Sequence, residues 1–182
     1  MSVIDKVIAA VTPPESDEAR REARARARAA AGPTGWLSLL IDHHVQIESA
    51  FQAVRQAQSA DARLAAFKQL ALILSAHSNA EEAVLYPALA HAHEKAHAVK
   101  AYTEQSAAKL QMGLLEYIDP MSQDFLDKLE HIRGAVVHHM YEEENTWFIE
   151  LTEKIGATDG RRLKERYLDE FQRQYVGVRA PA

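Results

Sequence analysis

The chain has 182 residues, of which 47% are hydrophobic, so we expect one domain with a sizeable core. Its net charge of -5 and pI near 6.0 give no basic surface for nucleic acid, and no apolar run approaches the length that spans a membrane. The absence of cysteine excludes disulfides, thiolate metal ligands and iron-sulfur clusters. We therefore expect a cytoplasmic protein without nucleic-acid or membrane partners, in which His, Asp and Glu would hold any metal.

Helical patterns account for nearly all of the chain, because most Gly and Pro residues fall at break points and no strand pattern is present. A short amphipathic segment is predicted near residues 3–11, and a charged helix over about 15–31. Four longer helices are predicted over roughly 34–58, 61–90, 94–117 and 121–154, followed by a last helix over about 159–175. The lengths of the four long helices predict an all-α fold, an antiparallel up-down four-helix bundle with extra helices at both termini.

The terminal segments flank this bundle. The N-terminal sequence EARREARARARAAA alternates in charge, which is typical of a solvated helix, and we assign it no function. The last helix has an apolar face, formed by Leu163, Tyr167, Phe171 and Tyr175. This face predicts a docking surface, either onto the bundle, which we favour, or onto another subunit in a homodimer. The expected units are an N-terminal extension over 1–33, the bundle over 34–154, and a C-terminal helix and tail over 155–182.

The second long helix places a histidine and two glutamates within an apolar stripe. In LSAHSNAEEAVLYPAL, His77 and Glu81 are four residues apart, so their side chains lie on the same helical face. The same face carries apolar residues at helical spacing, namely Phe67, Leu70, Leu74, Val84 and Ala88. The histidine and the glutamate are therefore candidates for burial, and a buried imidazole beside a buried carboxylate needs a partner.

The fourth long helix repeats this pattern. In VVHHMYEEENTWF, His139 and Glu143 follow His77 and Glu81 by 62 residues in both cases. Tyr86 also has an aromatic counterpart at this offset. A single His-x-x-x-Glu pair is more often a surface hydrogen-bonded pair than a metal site. Two copies at one offset, together with a histidine on another core helix, favour metal binding.

The first and third long helices offer further candidates. The segment LLIDHHVQIESAF contains His43 and His44. His44 lies in the stripe with the bulkier apolar partners and is preferred, whereas the 62-residue offset pairs His43 with Gln105 of the third helix. Both histidines therefore remain alternatives. Glu48, four residues after His44, is expected to be an exposed surface residue.

Together these segments resemble the hemerythrin-like HHE cation-binding domain family over about residues 34–154. The resemblance rests on DHH, HSNAEEAVLYPAL, AYTEQSAAK and VVHHMYEEE in the four successive helices. It implies a four-helix bundle that holds a non-haem di-iron centre. The implied ligands are His44 or His43, His77, Glu81, His139 and Glu143. The third helix departs from the family pattern Y-x-E-H-x-x-x-K, because Gln105 stands where the histidine belongs.

The types of these side chains suit first-row metals. Imidazole nitrogens and carboxylate oxygens bind such ions, and carboxylates can bridge two cations while offsetting part of their charge. We expect iron, with zinc or another divalent metal as the alternative. Gln105 has three interpretations: weak binding through its carbonyl oxygen, a hydrogen bond to a ligand of the metal, or an open coordination position.

The function predicted first is to bind or sense dioxygen, or a related diatomic or peroxide ligand, at a di-iron site. The alternatives are a di-iron redox enzyme with peroxidase-, oxidase- or nitric oxide-related turnover, and an iron or zinc handling protein with a structural metal. Binding ranks first because the sequence contains no separate acid-base constellation or substrate pocket.

Overall fold

The computed structural model describes residues 15–31, 35–92 and 94–177, and the regular elements in these ranges are all helical. The first helices are α1 (Asp17–Ala31), α2 (Trp36–Gln56) and α3 (Ala60–Ala80), and α3 continues through a π-helical turn (Glu81–Leu85) into α4 (Tyr86–His91). They are followed by α5 (Lys95–Leu115), by α6 (Gln123–Glu142) with a second π-helical turn (Glu143–Trp147) and α7 (Phe148–Lys154), and by α8 (Ala157–Gly177). The predicted all-α class is confirmed, while the segment near residues 3–11 lies outside the described ranges.

Local signals in the sequence account for several helix starts. The side chain of Ser59 accepts a hydrogen bond from the Ala62 backbone N–H at the start of α3, and Ser122 caps α6 in the same way. Pro87 is the second residue of α4, just beyond the π-helical turn, and has no backbone N–H to donate. The helices predicted over 61–90 and 121–154 thus run on as helical segments, each with one π-helical turn.

The long helical segments pack around one apolar core. α2 packs against α3, α4 against α5, and α5 against α6. Fully buried side chains come from several of the segments, among them Leu40, Phe51, Leu70, Leu89, Phe125 and Phe148. Complete burial of such a side chain stabilises the fold by about 1.5–3 kcal/mol. Among the helices of the described ranges, none combines the length and apolarity needed to cross a membrane.

Both terminal helices pack against this core. α8 packs on α2, α3 and the first π-helical turn, and its Tyr167 is 2% exposed, as the favoured docking within the chain predicts. α1 packs on α2 and the second π-helical turn, with Ala23 and Ala27 fully buried. The prediction that α1 is solvated is therefore wrong for this face. Alanines four residues apart form a narrow apolar stripe that is difficult to recognise in a sequence dominated by charge.

Candidate metal centre

Four buried side chains converge inside the bundle: His44 of α2, His77 of α3, and Glu81 and Glu143, which begin the two π-helical turns. One nitrogen or carboxylate oxygen from each lies within 4.8 Å of the others. His77 Nε2 lies 3.3 Å from Glu81 Oε1, and His44 Nε2 lies 3.4 Å from Glu143 Oε2. None of the four is more than 3% exposed. Buried imidazoles and carboxylates at such distances form a donor set that suits a first-row metal.

His139 and Tyr86 extend this cluster. His139 Nε2 lies 3.2 Å from Glu143 Oε1 and 3.0 Å from the Tyr86 hydroxyl oxygen. The same hydroxyl lies 3.1 Å from Glu143 Oε1 and 3.3 Å from Glu81 Oε2, so its single proton can be donated to either carboxylate. In the sequence Tyr86 stands out only as an aromatic position of the repeat, whereas its hydroxyl lies within the donor cluster.

The π-helical turns bring Tyr86 and Glu81 together. In a π turn the hydrogen bonds join residues five apart, so residues i and i+5 come to lie near the same face. Single π turns within α-helices are rare in proteins, but those that occur lie frequently at functional sites. Here they occur in both copies of the repeat, and their first residues, Glu81 and Glu143, are 62 residues apart.

Each of the three histidines in the cluster has its Nδ1 atom fixed by a hydrogen bond. The contacts are 2.8 Å from His44 to Glu144 Oε1, 2.8 Å from His139 to Glu104 Oε2, and 2.9 Å from His77 to the Tyr167 hydroxyl. The Nε2 atoms are the ones that face the cluster carboxylates. Histidines that bind metals usually have such a bond on the other ring nitrogen, because it fixes the tautomer and the orientation of the ring.

Arg24 of α1 supports the side of the cluster that contains His44. Its guanidinium donates to Glu144 at 2.9 Å and to Glu48 at 2.8 Å. Burial alone would raise the pKa of Glu144, but the hydrogen bonds from His44 and Arg24 hold this pKa below its usual range. Glu48, expected to be exposed, is half-buried in this ion pair. No sequence pattern distinguishes Arg24, because it lies within a segment of repeated Ala, Arg and Glu.

Burial and charge also shift the pKa values of the cluster residues. Burial and the Glu143 charge raise the pKa of Glu81 to about 7. Burial would raise the pKa of Glu143 too, but the positive charges of the neighbouring His139 and His44 imidazoles hold it well below its usual range. Burial lowers the pKa of His139, yet the Glu143 charge and the bond to Glu104 raise it to about 10. The metal-free cluster therefore holds protons that a bound cation would displace.

Several polar atoms at the centre have no hydrogen-bond partner within the described part of the chain. They are His44 Nε2, Glu81 Oε1, Glu143 Oε2 and Gln105 Oε1. A buried polar atom without a partner destabilises a fold by about 1–3 kcal/mol. All four are nitrogen or oxygen atoms of kinds that bind cations. The residues therefore fit the metal that the resemblance implies, with His44, His77, Glu81, His139 and Glu143 as the residues that would hold it.

The structure separates the two adjacent histidines of α2. Only His44 lies in the cluster, because one residue along a helix turns the side chain by about 100°. His43 Nδ1 lies 2.8 Å from the Tyr167 hydroxyl, and its ring stacks on Phe171 at a centroid distance of 4.1 Å. Gln105 is buried, and its Nε2 donates to Glu81 Oε2. The 62-residue offset therefore singles out the histidine that lies outside the cluster.

A second group of candidate ligands lies elsewhere and is less enclosed. Glu94, His97 and Glu150 bring one donor atom each to within 4.8 Å of one another, but all three are half-exposed. The Lys154 ammonium group donates to Glu94 and already offsets part of its charge. This group therefore fits a metal less well than the buried cluster.

A cavity of about 650 Å³ adjoins the buried cluster between α5 and α6. His77, Gln105 and His139 line it together with the small side chain of Ala108 and with other apolar and polar residues. The exposed side chain of Lys100 also lines it, so the cavity reaches the protein surface. A small molecule could approach the cluster by this route.

Residues 37–151 match the hemerythrin HHE cation-binding domain family. The chain belongs to this family. The match confirms the resemblance of the four segments, and it includes all the candidate ligands and both π-helical turns of the hemerythrin HHE domain. α1 and α8, which supply Arg24 and Tyr167, lie outside the matched residues.

Two individual proteins are similar to this hemerythrin HHE chain. The crystal structure of a hemerythrin HHE cation binding domain-containing protein from Mycobacterium kansasii has a TM-score of 0.67 and 23% identity, and covers 77% of this chain and 86% of that one. This likeness establishes the fold. A DNA nickase from Nostoc sp. (strain PCC 7120) is 26% identical over 129 residues, 71% of this chain. The chain spans only 36% of the length of that relative.

Proposed function

We propose that this hemerythrin HHE protein holds two iron ions in the buried cluster and binds or senses dioxygen, or a related small oxidant, there. The supporting observation is the convergence of His44, His77, Glu81 and Glu143 to within 4.8 Å in one buried place, where His44, Glu81 and Glu143 each have an atom without a hydrogen-bond partner in the described residues. Bound iron would supply reversible electron exchange with the oxidant.

Each side chain of the cluster would bind metal through particular atoms. His44, His77 and His139 would each bind through Nε2, because their Nδ1 atoms already have partners. Glu81 and Glu143 have two oxygens each, and a carboxylate can bridge two cations. The two Glu charges would offset part of the positive charge of two buried cations, which explains why a chain with this fold tolerates carboxylates in its core.

The cavity supports a small uncharged ligand. Leu74, Ile132 and Val136 line it together with charged and polar side chains, and the apolar part of this wall favours an uncharged ligand. The charges of Lys100 and Glu142 at this surface are paired with each other. A volume of about 650 Å³ is larger than a diatomic molecule needs, and this observation favours a redox enzyme with an organic substrate as the alternative.

Nicking of DNA is a second candidate that the Nostoc relative suggests. The match over 71% of this chain supports it. However, the net charge is -5, and the candidate ligands are at most 6% exposed. A phosphodiester within duplex DNA would not reach them without opening of the bundle. We therefore rank this activity below binding of a small oxidant.

The order of the helices and the boundaries of the units are inferred from the packing and the sequence. We infer an antiparallel up-down order of the four long segments, since α2 packs on α3 and α5 on α6 across short connections. We also infer a bundle unit over 34–154, with flanking units over 1–33 and 155–182. The chain is proposed to work in the cytoplasm. A homodimer through α8 is disfavoured because the apolar face of α8 packs within the chain.

The first test is metal analysis of protein purified from iron-supplemented cells. We expect close to two irons per chain, and an ultraviolet-visible band that appears reversibly when oxygen is added to the reduced protein. Irreversible oxidation would favour redox catalysis. In a separate assay, conversion of supercoiled plasmid to its nicked form by the purified protein would favour the activity of the Nostoc relative. Protein that takes up neither iron nor zinc would refute the proposal.

A double variant ties the metal to the cluster. The change His77→Ala with His139→Ala removes one imidazole from each copy of the repeat and should abolish bound iron. His91→Ala is the matched control, because His91 is exposed at the end of α4 and lies outside the cluster. Retention of two irons per chain by the double variant would show that the metal lies elsewhere.

A further inference from the structure

Tyr167 reaches the cluster from α8, beyond the residues that match the family. Its hydroxyl oxygen lies 2.9 Å from His77 Nδ1 and 2.8 Å from His43 Nδ1. The side chain is 2% exposed. One buried phenol thus joins a candidate metal ligand to the neighbouring histidine that does not face the metal.

The number of available protons determines the direction of the hydrogen bonds between His77, Tyr167 and His43. A phenol has one proton to donate, so it cannot donate to both imidazoles. When His77 Nε2 is free to bind a cation, His77 Nδ1 carries the proton and donates it to the phenol oxygen. The Tyr167 hydroxyl then donates to His43 Nδ1. The opposite direction would leave the His77 proton on Nε2, where it blocks binding.

Packing fixes His43, at the other end of these hydrogen bonds. The His43 ring stacks on Phe171 at 4.1 Å with an interplanar angle of 26°, one helical turn beyond Tyr167 on α8. α8 therefore supplies both the hydroxyl and the surface that orients its acceptor. A helix that only covered apolar surface would not need a polar atom at this buried position.

His77 depends on this support more than the other two histidines. His44 and His139 bond to the carboxylates of Glu144 and Glu104, which can only accept when ionised and so leave the imidazole proton on Nδ1. A neutral phenol can either donate or accept. The tautomer of His77 is therefore set by what lies on the far side of the phenol.

We propose that His77, Tyr167 and His43 form a hydrogen-bonded chain that fixes His77 in the tautomer that binds the cation. Tyr167 and His43 are then positioning residues of the metal centre. This gives His43, the first histidine of the DHH segment, a role through Tyr167 in place of direct binding. The inference rests on the proposed function, because it requires that the cluster bind a metal.

The test compares Co²⁺ binding by the full chain and by Tyr167→Phe, which keeps the ring and removes the hydroxyl. We expect the Kd for Co²⁺ to rise ~10–100-fold. We also expect the paramagnetically shifted N–H resonance of His77 to be lost or to exchange rapidly with solvent. Leu163→Ala is the matched control, because it disturbs the packing of α8 at a buried position but leaves Tyr167, His43 and Phe171 in place; it should retain the N–H resonance.

Two variants of His43 test the other end of the chain and decide the matter if Tyr167→Phe does not fold. His43→Asn keeps an acceptor at the place of Nδ1 and should bind Co²⁺ like the unmodified chain, whereas His43→Leu should bind it more weakly. Equal affinities and an unchanged N–H resonance in Tyr167→Phe and His43→Leu would overturn the hydrogen-bonded chain. Absence of any Co²⁺ binding by the unmodified chain would overturn the proposed function as well.

Discussion

Gln105 occupies a position from which its amide reaches the centre of the cluster. Its Nε2 donates to Glu81 Oε2, while its Oε1 has no hydrogen-bond partner in the described ranges. An amide oxygen is a poorer ligand for first-row metals than an imidazole nitrogen. The amide therefore restrains one carboxylate and leaves this side of the cluster weakly ligated.

Replacing this amide by imidazole should strengthen the site. For Gln105→His we expect tighter metal binding and more reversible oxygen chemistry, because a further nitrogen donor would reach the cluster. Metal titration and oxygen-dependent spectra measure both effects. Gln111→His, buried in the same helix but outside the cluster, is the control. Unchanged metal content, spectrum and reactivity would mean that position 105 does not act on the metal.

Glu144 connects His44 with Arg24, and Glu144→Gln removes its charge while keeping its shape. We expect metal affinity to fall about tenfold, because His44 loses its carboxylate partner. The free energy of unfolding of the metal-free protein should fall by about 1–3 kcal/mol, since Arg24 keeps only Glu48. Denaturant unfolding measures this, with Glu142→Gln near the surface as the control. Equal stability of Glu144→Gln and the unmodified chain would contradict the support attributed to Arg24.

At the scale of elements, the π-helical turns explain where helical periodicity fails. The stripe containing His77 and Glu81 predicts that Ala88 is buried, but Ala88 is only half-buried and Leu85 and Leu89 are fully buried. The extra residue of the π turn shifts the buried face by one position. No residue type specifies such a turn, so the sequence could not indicate it.

The cavity between α5 and α6 makes a prediction about access. Ala108→Phe would place a large ring in the cavity, and we expect several-fold slower reaction of the reduced iron protein with oxygen at unchanged metal content. Stopped-flow absorbance measures the rate. Ala65→Phe, at an exposed position outside the cavity lining, is the control. Equal rates in both variants would mean that ligands reach the cluster by another path.

At the scale of the molecule, the sequence predicts most residues of the cluster but few of the residues that surround it. Two His-x-x-x-Glu pairs at one offset were enough to predict His77, Glu81, His139 and Glu143, because helical spacing fixes which side chains share a face. The partners Arg24, Glu104 and Tyr167 come from other helices. Their contacts depend on how the helices pack, which a repeat within one chain does not encode.

Bound metal should stabilise the whole fold. At a free metal concentration of 100 times Kd, the free energy of unfolding should rise by about 2.7 kcal/mol, which corresponds to ~5–10 °C in Tm for a chain of this size. Scanning calorimetry with and without a chelator measures the shift. The His77→Ala/His139→Ala variant should show no chelator effect. If the Tm of the unmodified chain does not change when the chelator is added, this result would argue against a bound metal.

The π-helical turn after Glu81 has a further consequence for changes in chain length. Removing one residue between Glu82 and Leu85 would convert the π turn into a regular α-helical turn, and Tyr86 would then follow Glu81 by four residues. Residues four apart share a helical face, so Tyr86 would stay beside Glu81 and the helix beyond would keep its buried face. This segment should therefore tolerate loss of the exposed Ala83, whereas a deletion within the regular part of α3 would rotate the helix beyond it by about 100°.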